Sequence, residues 1–414
     1  MLLIELNEFS VDFLRSASAD LDTPTLDKLL GWKCSRTDTE DKAERHGLDP
    51  WVQWVSIHTG LPASEHGIRH LAEADQLSHQ QIWDALNQKG VSACVWGAMN
   101  GKNNRHPLLT TFVPDPWTYS ETASPDALNR LLELPRLYAQ DYVSPNLWQL
   151  VRSGLKTGTY VLLNHFDVVA RNLLRWIRPV FGAGLNNAVL FALFDNLSAK
   201  LFRKQCRRDQ SEFKLIFLNS IAHLQHHDWN PDSPTVKEVM RLLDDSLSCL
   251  LDTVSPEEPV LLVNGFSQIC TADRNEFLYR PIHPEGFIDA MGLNATRVEQ
   301  MMTNDGHIFF ESEEDCKRGL AVLQAATIDG ELAFDVDRRS GTQIFYQFDI
   351  WDEIRPGAEI SVNGKTLTFS DHFERLVKRT GSHVSTGHVF HFNIEVPEEI
   401  PNHDLFHLIR ASYV

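Results

Sequence analysis

Several polar and aromatic side chains of this sequence fall where a helix should begin. Asp49 precedes Pro50, which suits an N-cap followed by the first position of a helix. A helix N-terminus presents unpaired N–H groups and partial positive charge, so it stabilises an anion or a side chain that attacks one. An ordinary capped helix is the structural alternative. The substrate-binding candidates of this segment are Trp51, Gln53, Trp54 and His58.

Other chemically capable residues come directly after apolar stretches that read as strands. Glu8 follows residues 2–6, the histidine run 223–227 follows residues 214–218, and Gln268 follows residues 259–263. In open α/β sheets the carboxyl ends of the strands carry the ligand, so we expect these side chains to converge on one crevice. The catalytic candidates are Glu8, Asp49, His223 and His227, and the substrate-binding candidates of the crevice are Asn7, Asn219, His226 and Gln268.

The chemistry available to such a set is proton transfer. A His and carboxylate pair suits proton transfer to a leaving oxygen, and two carboxylates suit glycoside cleavage. Histidines 223 and 227 are four residues apart, so they could also bind a metal together if their turn is helical.

Further candidates lie in loops. Amide side chains can hydrogen-bond the hydroxyl groups of a sugar, and an aromatic ring in a proline-bounded turn can pack on its C–H groups. An arginine beside a histidine can bind a phosphate or a carboxylate. A loop packed on the core and a surface ion pair are the alternatives. These candidates are Asn100, Asn104, Asp115, Trp117, Arg280, His283 and His388.

Strand-like and helix-like stretches alternate along the chain. Residues 2–6, 91–97, 214–218 and 259–263 are typical of buried strands, and residues 23–30 and 80–89 of helices. The alternation predicts an α/β fold with a mostly parallel sheet flanked by helices. We divide the chain into an α/β core at 1–120, a helical cap at 121–210, further core at 211–290, a second α+β insertion at 291–378, and a closing core segment at 379–414.

The predicted cap is apolar and basic. Its apolar runs are interrupted by Asn and Asp, so none reaches the roughly 20 residues that span a bilayer. It is either a lid over the crevice or a helical surface that lies on an anionic membrane.

The amino-acid composition indicates which partners and which cellular compartment to expect. The 414 residues are 43% hydrophobic, enough to bury a sizeable core, and their net charge of −18 argues against a nucleic-acid partner. Six scattered cysteines suit reduced thiols, and the start of the sequence lacks the pattern of a signal peptide. We therefore expect a cytoplasmic protein, with peripheral contact at the inner membrane if the cap docks there.

The order of several motifs resembles the alkaline-phosphatase superfamily, nearest to its type I phosphodiesterase and nucleotide pyrophosphatase branch. The motifs are Leu6-Asn7-Glu8, residues 22–29 with Thr-Pro-Thr-Leu, and Thr59-Gly60 followed by His66-Gly67-Ile68. Later, Asn219 to His223 corresponds to the family's Asp-x-x-x-His metal pair, and His383 to its final metal-binding histidine. The resemblance implies a phosphoester hydrolase that uses zinc or another divalent metal, with His223 and His383 as the metal candidates.

The chain departs from that pattern at the metal ligands and at the nucleophile. Asn7 and Asn219 stand where the family has Asp, and Asn264-Gly265-Phe266-Ser267 replaces its Ser-Asp-His-Gly after the later strand. Its Thr or Ser nucleophile falls near Asp49-Pro50, which offers no hydroxyl. Neutral amides are poor ligands for two dications, so most of the metal set and the hydroxyl nucleophile are replaced.

Three hypotheses follow. The first is a hydrolase of a phosphoester in a sugar-containing or nucleotide-sugar substrate, in line with bacterial relatives that accompany surface-polysaccharide genes. The second is a metal-independent enzyme that cleaves or transfers a glycosyl group with Glu8 and Asp49, on a sugar-containing small molecule or a lipid-linked glycan. The third is a relative that binds a ligand without turnover.

Overall fold

The computed structural model describes residues 1–43, 46–141, 146–301 and 304–413. It divides into two compact units. Unit 1 comprises Met1–Glu133, Lys156–Thr271 and Gly381–Val414, and unit 2 comprises Leu134–Leu155 and Ala272–Thr380. Residues 156–210 of the expected cap belong to unit 1, and the expected second insertion, 291–378, lies within the Ala272–Thr380 segment of unit 2.

The strands of the described chain are β1 (Leu2–Leu6), β2 (Lys33–Asp38), β3 (Ala93–Ala98), β4 (Leu109–Pro114), β5 (Phe213–Leu218), β6 (Val260–Val263), β7 (Ser267–Cys270), β8 (Phe277–Pro281), β9 (Ala295–Gln300), β10 (Asp305–Phe310), β11 (Thr327–Ile328), β12 (Glu331–Leu332), β13 (Phe334–Arg338), β14 (Gln343–Phe348), β15 (Glu359–Val362), β16 (Lys365–Thr368), β17 (Phe373–Lys378), β18 (Gly381–Val384), β19 (Gly387–Phe392) and β20 (Glu399–Pro401).

The helices are α1 (Val11–Ser18), α2 (Pro24–Leu30), α3 (Pro50–Thr59), α4 (Ala63–His66), α5 (Ile82–Gln88), α6 (Asn129–Asp141), α7 (Leu147–Asn164), α8 (Phe166–Ala183), α9 (Asn187–Asp209), α10 (Ser220–Gln225), α11 (Pro234–Leu251), α12 (Pro284–Ala290), α13 (Glu313–Gln324), α14 (Phe369–His372) and α15 (Leu405–Ala411). Among the described residues, none of these helices combines the length and the apolar content needed to cross a membrane.

Unit 1 is built on an eight-stranded sheet with the order β20-β2-β19-β6-β1-β5-β3-β4. Strands β6, β1, β5, β3 and β4 run parallel, and only β19 is antiparallel to its neighbours. All residues of β1, β5 and β6 are buried, as continuous apolar runs require when helices cover both faces. The predicted fold class, an α/β protein with a mostly parallel sheet flanked by helices, is confirmed.

Unit 2 has its own core and its own sheets. Strands β13, β14, β10 and β9 form an antiparallel sheet, β12, β11, β15 and β16 form another, and β8 pairs with β17. The core is aromatic, with Phe287, Phe334, Phe348 and Phe373 packed against one another. The hydrophobic core of unit 2 is therefore distinct from that of unit 1.

Candidate functional site

A carboxylate and two imidazoles meet in unit 1 where strands β1, β7 and β18 come together. Glu8 follows β1, His226 caps the C-terminus of α10, and His383 lies in β18. Glu8 Oε2 lies 3.3 Å from His226 Nε2 and 3.0 Å from His383 Nε2. The ligand atoms of the three residues all lie within 4.8 Å of one another, a grouping that could hold a metal ion. We call these three residues the Glu8 cluster.

The backbone of Glu8 aims its side chain into this cluster. Glu8 has a φ of 55°, in the left-handed region that non-glycine residues rarely adopt. Its N–H donates to the Asn264 carbonyl (3.0 Å), and its own carbonyl accepts from the Gln268 N–H (3.1 Å). Strained conformations of this kind persist where the surrounding structure holds them, and they concentrate at functional sites.

Two amides orient the Glu8 carboxylate. Gln268 Nε2 donates to Glu8 Oε2 (2.6 Å), and Asn7 Nδ2 donates to Glu8 Oε1 (2.8 Å). Strand β18 packs closely against the Gln268 side chain at Gly381. A Cβ at this position would lie 2.7 Å from the Gln225 carbonyl oxygen and would collide with Gln268. The glycine therefore leaves room for the amide that holds the carboxylate.

The Glu8 carboxylate is ionised in this setting. Burial opposes ionisation, but the imidazoles of His383 and His226 outweigh it and hold the pKa of Glu8 well below its ordinary value. A fully buried carboxylate that keeps its charge needs cationic partners, whether imidazolium or metal.

Asn7 and Asn219 are brought together, although they lie more than 200 residues apart in sequence. Asn7 Nδ2 donates to Asn219 Oδ1 (2.9 Å), and Asn7 Oδ1 accepts from Trp54 Nε1 (2.7 Å). Asn264 is used differently, since its amide donates to the Phe9 carbonyl (2.8 Å) and its Oδ1 accepts from the His388 N–H (2.7 Å). The amides at these positions satisfy one another or the backbone.

The other two histidines of the run lie beside the cluster. His223 is in α10, and its ring packs between Phe191 (4.1 Å between ring centroids) and His227 (4.8 Å). Burial lowers the pKa of His223 well below its ordinary value and that of His227 to about 4, and the neighbouring histidines add to both shifts. Both rings are therefore neutral. His223 Nε2 and His227 Nδ1 have no hydrogen-bond partner in the described structure.

Asp195, an acidic residue that interrupts an apolar run in the sequence, holds α10 in place. Its Oδ2 accepts the N–H groups of Asn219 (2.9 Å) and Ser220 (2.7 Å) at the start of that helix. Burial raises the pKa of Asp195 from 3.8 to about 6 despite these bonds. A carboxylate inside an apolar helix was the signal that could have marked it, because such a group needs a partner.

The candidates of α3 have mainly structural roles. Asp49 is the N-cap as predicted but makes no capping hydrogen bond, because its carboxylate pairs with His46 Nδ1 (3.1 Å). Every residue of α3 is buried. Trp51 donates to the Arg69 carbonyl, Gln53 donates to Asp41, and His58 Nε2 pairs with Glu5 (2.7 Å). Only Trp54 contacts the site, through Asn7.

A buried Ser56 and His66 pair in the same region is not an activated nucleophile. Ser56 Oγ lies 3.0 Å from His66 Nε2, but His66 Nδ1 accepts the N–H of Ile68 (3.1 Å). The proton is therefore assigned to Nε2, which donates to the hydroxyl instead of accepting its proton. Burial lowers the pKa of His66 to about 4, which keeps the ring neutral.

The loop candidates Asn100, Asp115 and Trp117 are buried structural residues. Asn100 Nδ2 donates to the carbonyls of Trp51 (3.2 Å) and His70 (3.0 Å), and Asp115 accepts the N–H groups of Asn100, Trp117 and Thr118. The Trp117 side chain packs in the core. Asn104 is exposed and donates to Asp84. The hydrogen-bonding groups of Asn100 and Asp115 are thus engaged within the fold, whereas Asn104 lies at the surface.

The remaining three candidates divide between the units. Arg280 and His283 belong to unit 2, where the guanidinium of Arg280 donates to the Gln140 carbonyl (2.8 Å) and His283 is the N-cap of α12. His388 belongs to unit 1, and its Nδ1 lies 3.5 Å from Ser267 Oγ. Burial lowers the pKa of His388, so its ring favours the neutral form.

Solved structures resemble this chain at low similarity. A phosphonoacetate hydrolase from Sinorhizobium meliloti 1021, in complex with phosphonoformate, gives a TM-score of 0.48 at 13% identity, covering 100% of this chain and 95% of that one. Human ectonucleotide pyrophosphatase/phosphodiesterase 5 gives 0.46 at 11% identity, and the murine protein 0.45 at 10%, each with 100% and 94% covered. No family model and no curated protein matches the chain. Likeness at this level does not bear on the chemistry of the Glu8 cluster.

Proposed function

We propose that this protein is a phosphoester hydrolase whose Glu8 cluster holds a single divalent cation. The observation that carries the proposal is the convergence of Glu8 Oε2 with the Nε2 atoms of His226 and His383, at 3.3 and 3.0 Å. The motif resemblance to type I phosphodiesterases in the sequence supplies the reaction class. The substrate we propose is a phosphoester of a sugar or nucleotide-sugar.

The donor set fits one ion. Two imidazoles and one carboxylate are a known ligand set of catalytic zinc, which leaves a fourth position open. With metal-to-ligand bonds near 2.0–2.1 Å, neighbouring ligand atoms in a tetrahedral site lie roughly 3.4 Å apart. Two of the three separations in the Glu8 cluster, 3.3 and 3.0 Å, are close to that value, and the third lies within 4.8 Å. The amides of Gln268 and Asn7 orient the carboxylate, as outer partners of metal ligands do.

The surroundings do not fit the second ion of the resembling family. That ion would need carboxylates at positions 7 and 219, but the amides there bond to each other and to Trp54. Asn264 is likewise committed to the Phe9 carbonyl and the His388 N–H. These contacts support a one-ion site.

The residues around the Glu8 cluster account for the remaining chemistry. A divalent cation, when bound, would polarise a phosphoryl oxygen and lower the pKa of a water molecule. The neutral rings of His223 and His227 have unpartnered nitrogens that can take a proton from water or give one to a leaving oxygen.

No observation favours the glycosyl alternative over this proposal. That chemistry pairs Glu8 with Asp49 as acid and base, but the Asp49 carboxylate is held by His46 (3.1 Å) at the start of α3. The two residues nevertheless allow a matched comparison, because the metal hypothesis needs only Glu8, whereas the glycosyl hypothesis needs both carboxylates.

The test is metal binding and turnover in Glu8→Gln and Asp49→Asn variants of the full chain. Metal-depleted protein is titrated with Zn²⁺ by calorimetry, and hydrolysis of bis-p-nitrophenyl phosphate is followed with and without the metal. We expect one zinc per chain and zinc-dependent hydrolysis in the wild type and in Asp49→Asn, and loss of both in Glu8→Gln.

Other outcomes would reject the proposal. Equal zinc binding by wild type and Glu8→Gln would remove the Glu8 cluster as the metal site. Chelator-resistant glycosyl cleavage that disappears in both variants would establish the alternative enzyme. A folded wild type that binds ligand but turns over neither substrate class would identify a non-catalytic protein.

A further inference from the structure

A strip of large apolar side chains on helix α8 faces solvent. We define the α8 strip as Phe166, Leu173, Leu174, Ile177 and Phe181. Their side chains are 66%, 49%, 83%, 39% and 85% exposed, respectively. Scattered exposed apolar residues are normal, but a contiguous patch of this kind marks an interaction surface.

The strip occupies one side of the helix. At 100° per residue, its five members fall within an arc of roughly 100°, while Val168, Asn172 and Pro179 point to the opposite side and are buried. Helix α8 therefore packs on unit 1 through its buried side and presents a second apolar side outward. Leu162 and Leu163, just before α8, and Leu185, just after it, are also exposed.

Positive charge accompanies the strip. Within unit 1, residues 156–194 contain four basic residues and one acidic residue, a net charge of +3, in a chain of −18, so the rest of the chain carries −21. On α8, Arg171, Arg175 and Arg178 lie along one flank of the helix, between the strip and the buried side. Arg175 pairs with Asp245 (2.7 Å) and Arg178 approaches Glu238 (3.6 Å), yet both arginine side chains remain more than 60% exposed.

We propose that the α8 strip docks on an anionic membrane surface, with α8 lying in the plane of the interface. An apolar face with arginines along one flank suits an interfacial helix, and the positive charge complements anionic lipid headgroups. A second copy of the chain fits less well, because an antiparallel two-fold pairing of strips would place the arginines of both copies along the same edge. The proposal does not depend on the proposed phosphoesterase activity.

The experiment is co-sedimentation of the full chain with lipid vesicles. Vesicles of phosphatidylcholine alone are compared with vesicles that also contain phosphatidylglycerol, at low and high salt. The variant is Leu174→Glu with Phe181→Glu, and the matched control is Leu332→Glu, an exposed leucine (59%) in unit 2. Because all three side chains are exposed, each variant should fold, which circular dichroism checks.

We expect binding to the anionic vesicles, weaker binding at high salt, and a loss of at least about tenfold in partitioning for the double variant but not for the control. Absence of binding to anionic vesicles would overturn the proposal, as would equal binding by wild type and double variant. Light scattering on the same proteins without lipid tests whether the strip instead binds a second copy of the chain. If the wild type forms a dimer and does not bind vesicles, and the double variant is monomeric, the strip is a self-association surface instead.

Discussion

Replacement of Asp195 by Asn tests how the helix that carries the site histidines is held. The Asp195 carboxylate accepts the N–H groups of Asn219 and Ser220 with a single oxygen, at 2.9 and 2.7 Å. An asparagine carbonyl oxygen can accept the same two bonds. The variant therefore keeps the contacts to α10 and removes only the ability of the side chain to ionise.

The magnitude follows from the displaced pKa. Burial raises the pKa of Asp195 from 3.8 to about 6, which is about two units, and each unit corresponds to about 1.4 kcal/mol. Since the folded pKa is the higher one, the unfolded chain loses its proton first, and wild-type stability falls as pH rises from about 4 through 6. Asp195→Asn should thus gain up to about 3 kcal/mol over the wild type between pH 4 and pH 7.5.

The assay is thermal unfolding of both proteins across that pH range. At ~2.1 cal/mol/K of unfolding entropy per residue, a chain of this length shifts by roughly 1–2 °C per kcal/mol, so the gain corresponds to an increase of roughly 3–6 °C in the melting temperature of the variant relative to wild type. Asp232→Asn is the control, because that side chain is 86% exposed and should show no such trend. If the two helix N–H bonds outweighed desolvation, Asp195→Asn would instead lose stability at neutral pH, and that result would refute the reasoning.

Three further predictions concern α3 and its surroundings. Trp54→Phe removes the donor to Asn7 Oδ1 and leaves a buried acceptor unpaired, so we expect a loss of about 1–3 kcal/mol in urea unfolding and weaker zinc binding by calorimetry. Ser56→Ala should lower stability yet leave phosphodiester turnover at the wild-type rate; a turnover collapse in a folded variant would make Ser56 a nucleophile after all. The depressed folded pKa of His66 means that stability is lost as pH falls from about 6.5 towards 4, so His66→Gln should show a flatter dependence of melting temperature on pH in that window, and an unchanged slope would contradict this.

The local sequence pattern was enough to predict the strands and the helix start that surround the site. The strand 2–6 is β1 without change, and the strands expected at 214–218 and 259–263 are β5 and β6 to within one residue. Helix α3 begins at Pro50 with Asp49 before it, as the residue types indicated. Such features depend on hydrophobic periodicity and on helix-start preferences, which neighbouring residues encode.

Partner choice among the polar side chains was decided only in the folded chain. The sequence offered three histidines after β5, and packing directs His226 to Glu8 while His223 lies between Phe191 and His227. The sequence pattern predicted Asp49 as a catalytic carboxylate, and in the folded chain this carboxylate pairs with His46.

The sequence by itself therefore determined the α/β architecture and the strand ends at which chemistry gathers, because apolar periodicity is local. The tertiary structure decided that Glu8 meets His383 from the far end of the chain, that Asn7 meets Asn219, and that Asp195 anchors α10. These contacts join distant segments, and their geometry depends on how whole strands and helices pack, which spacing along the chain does not specify.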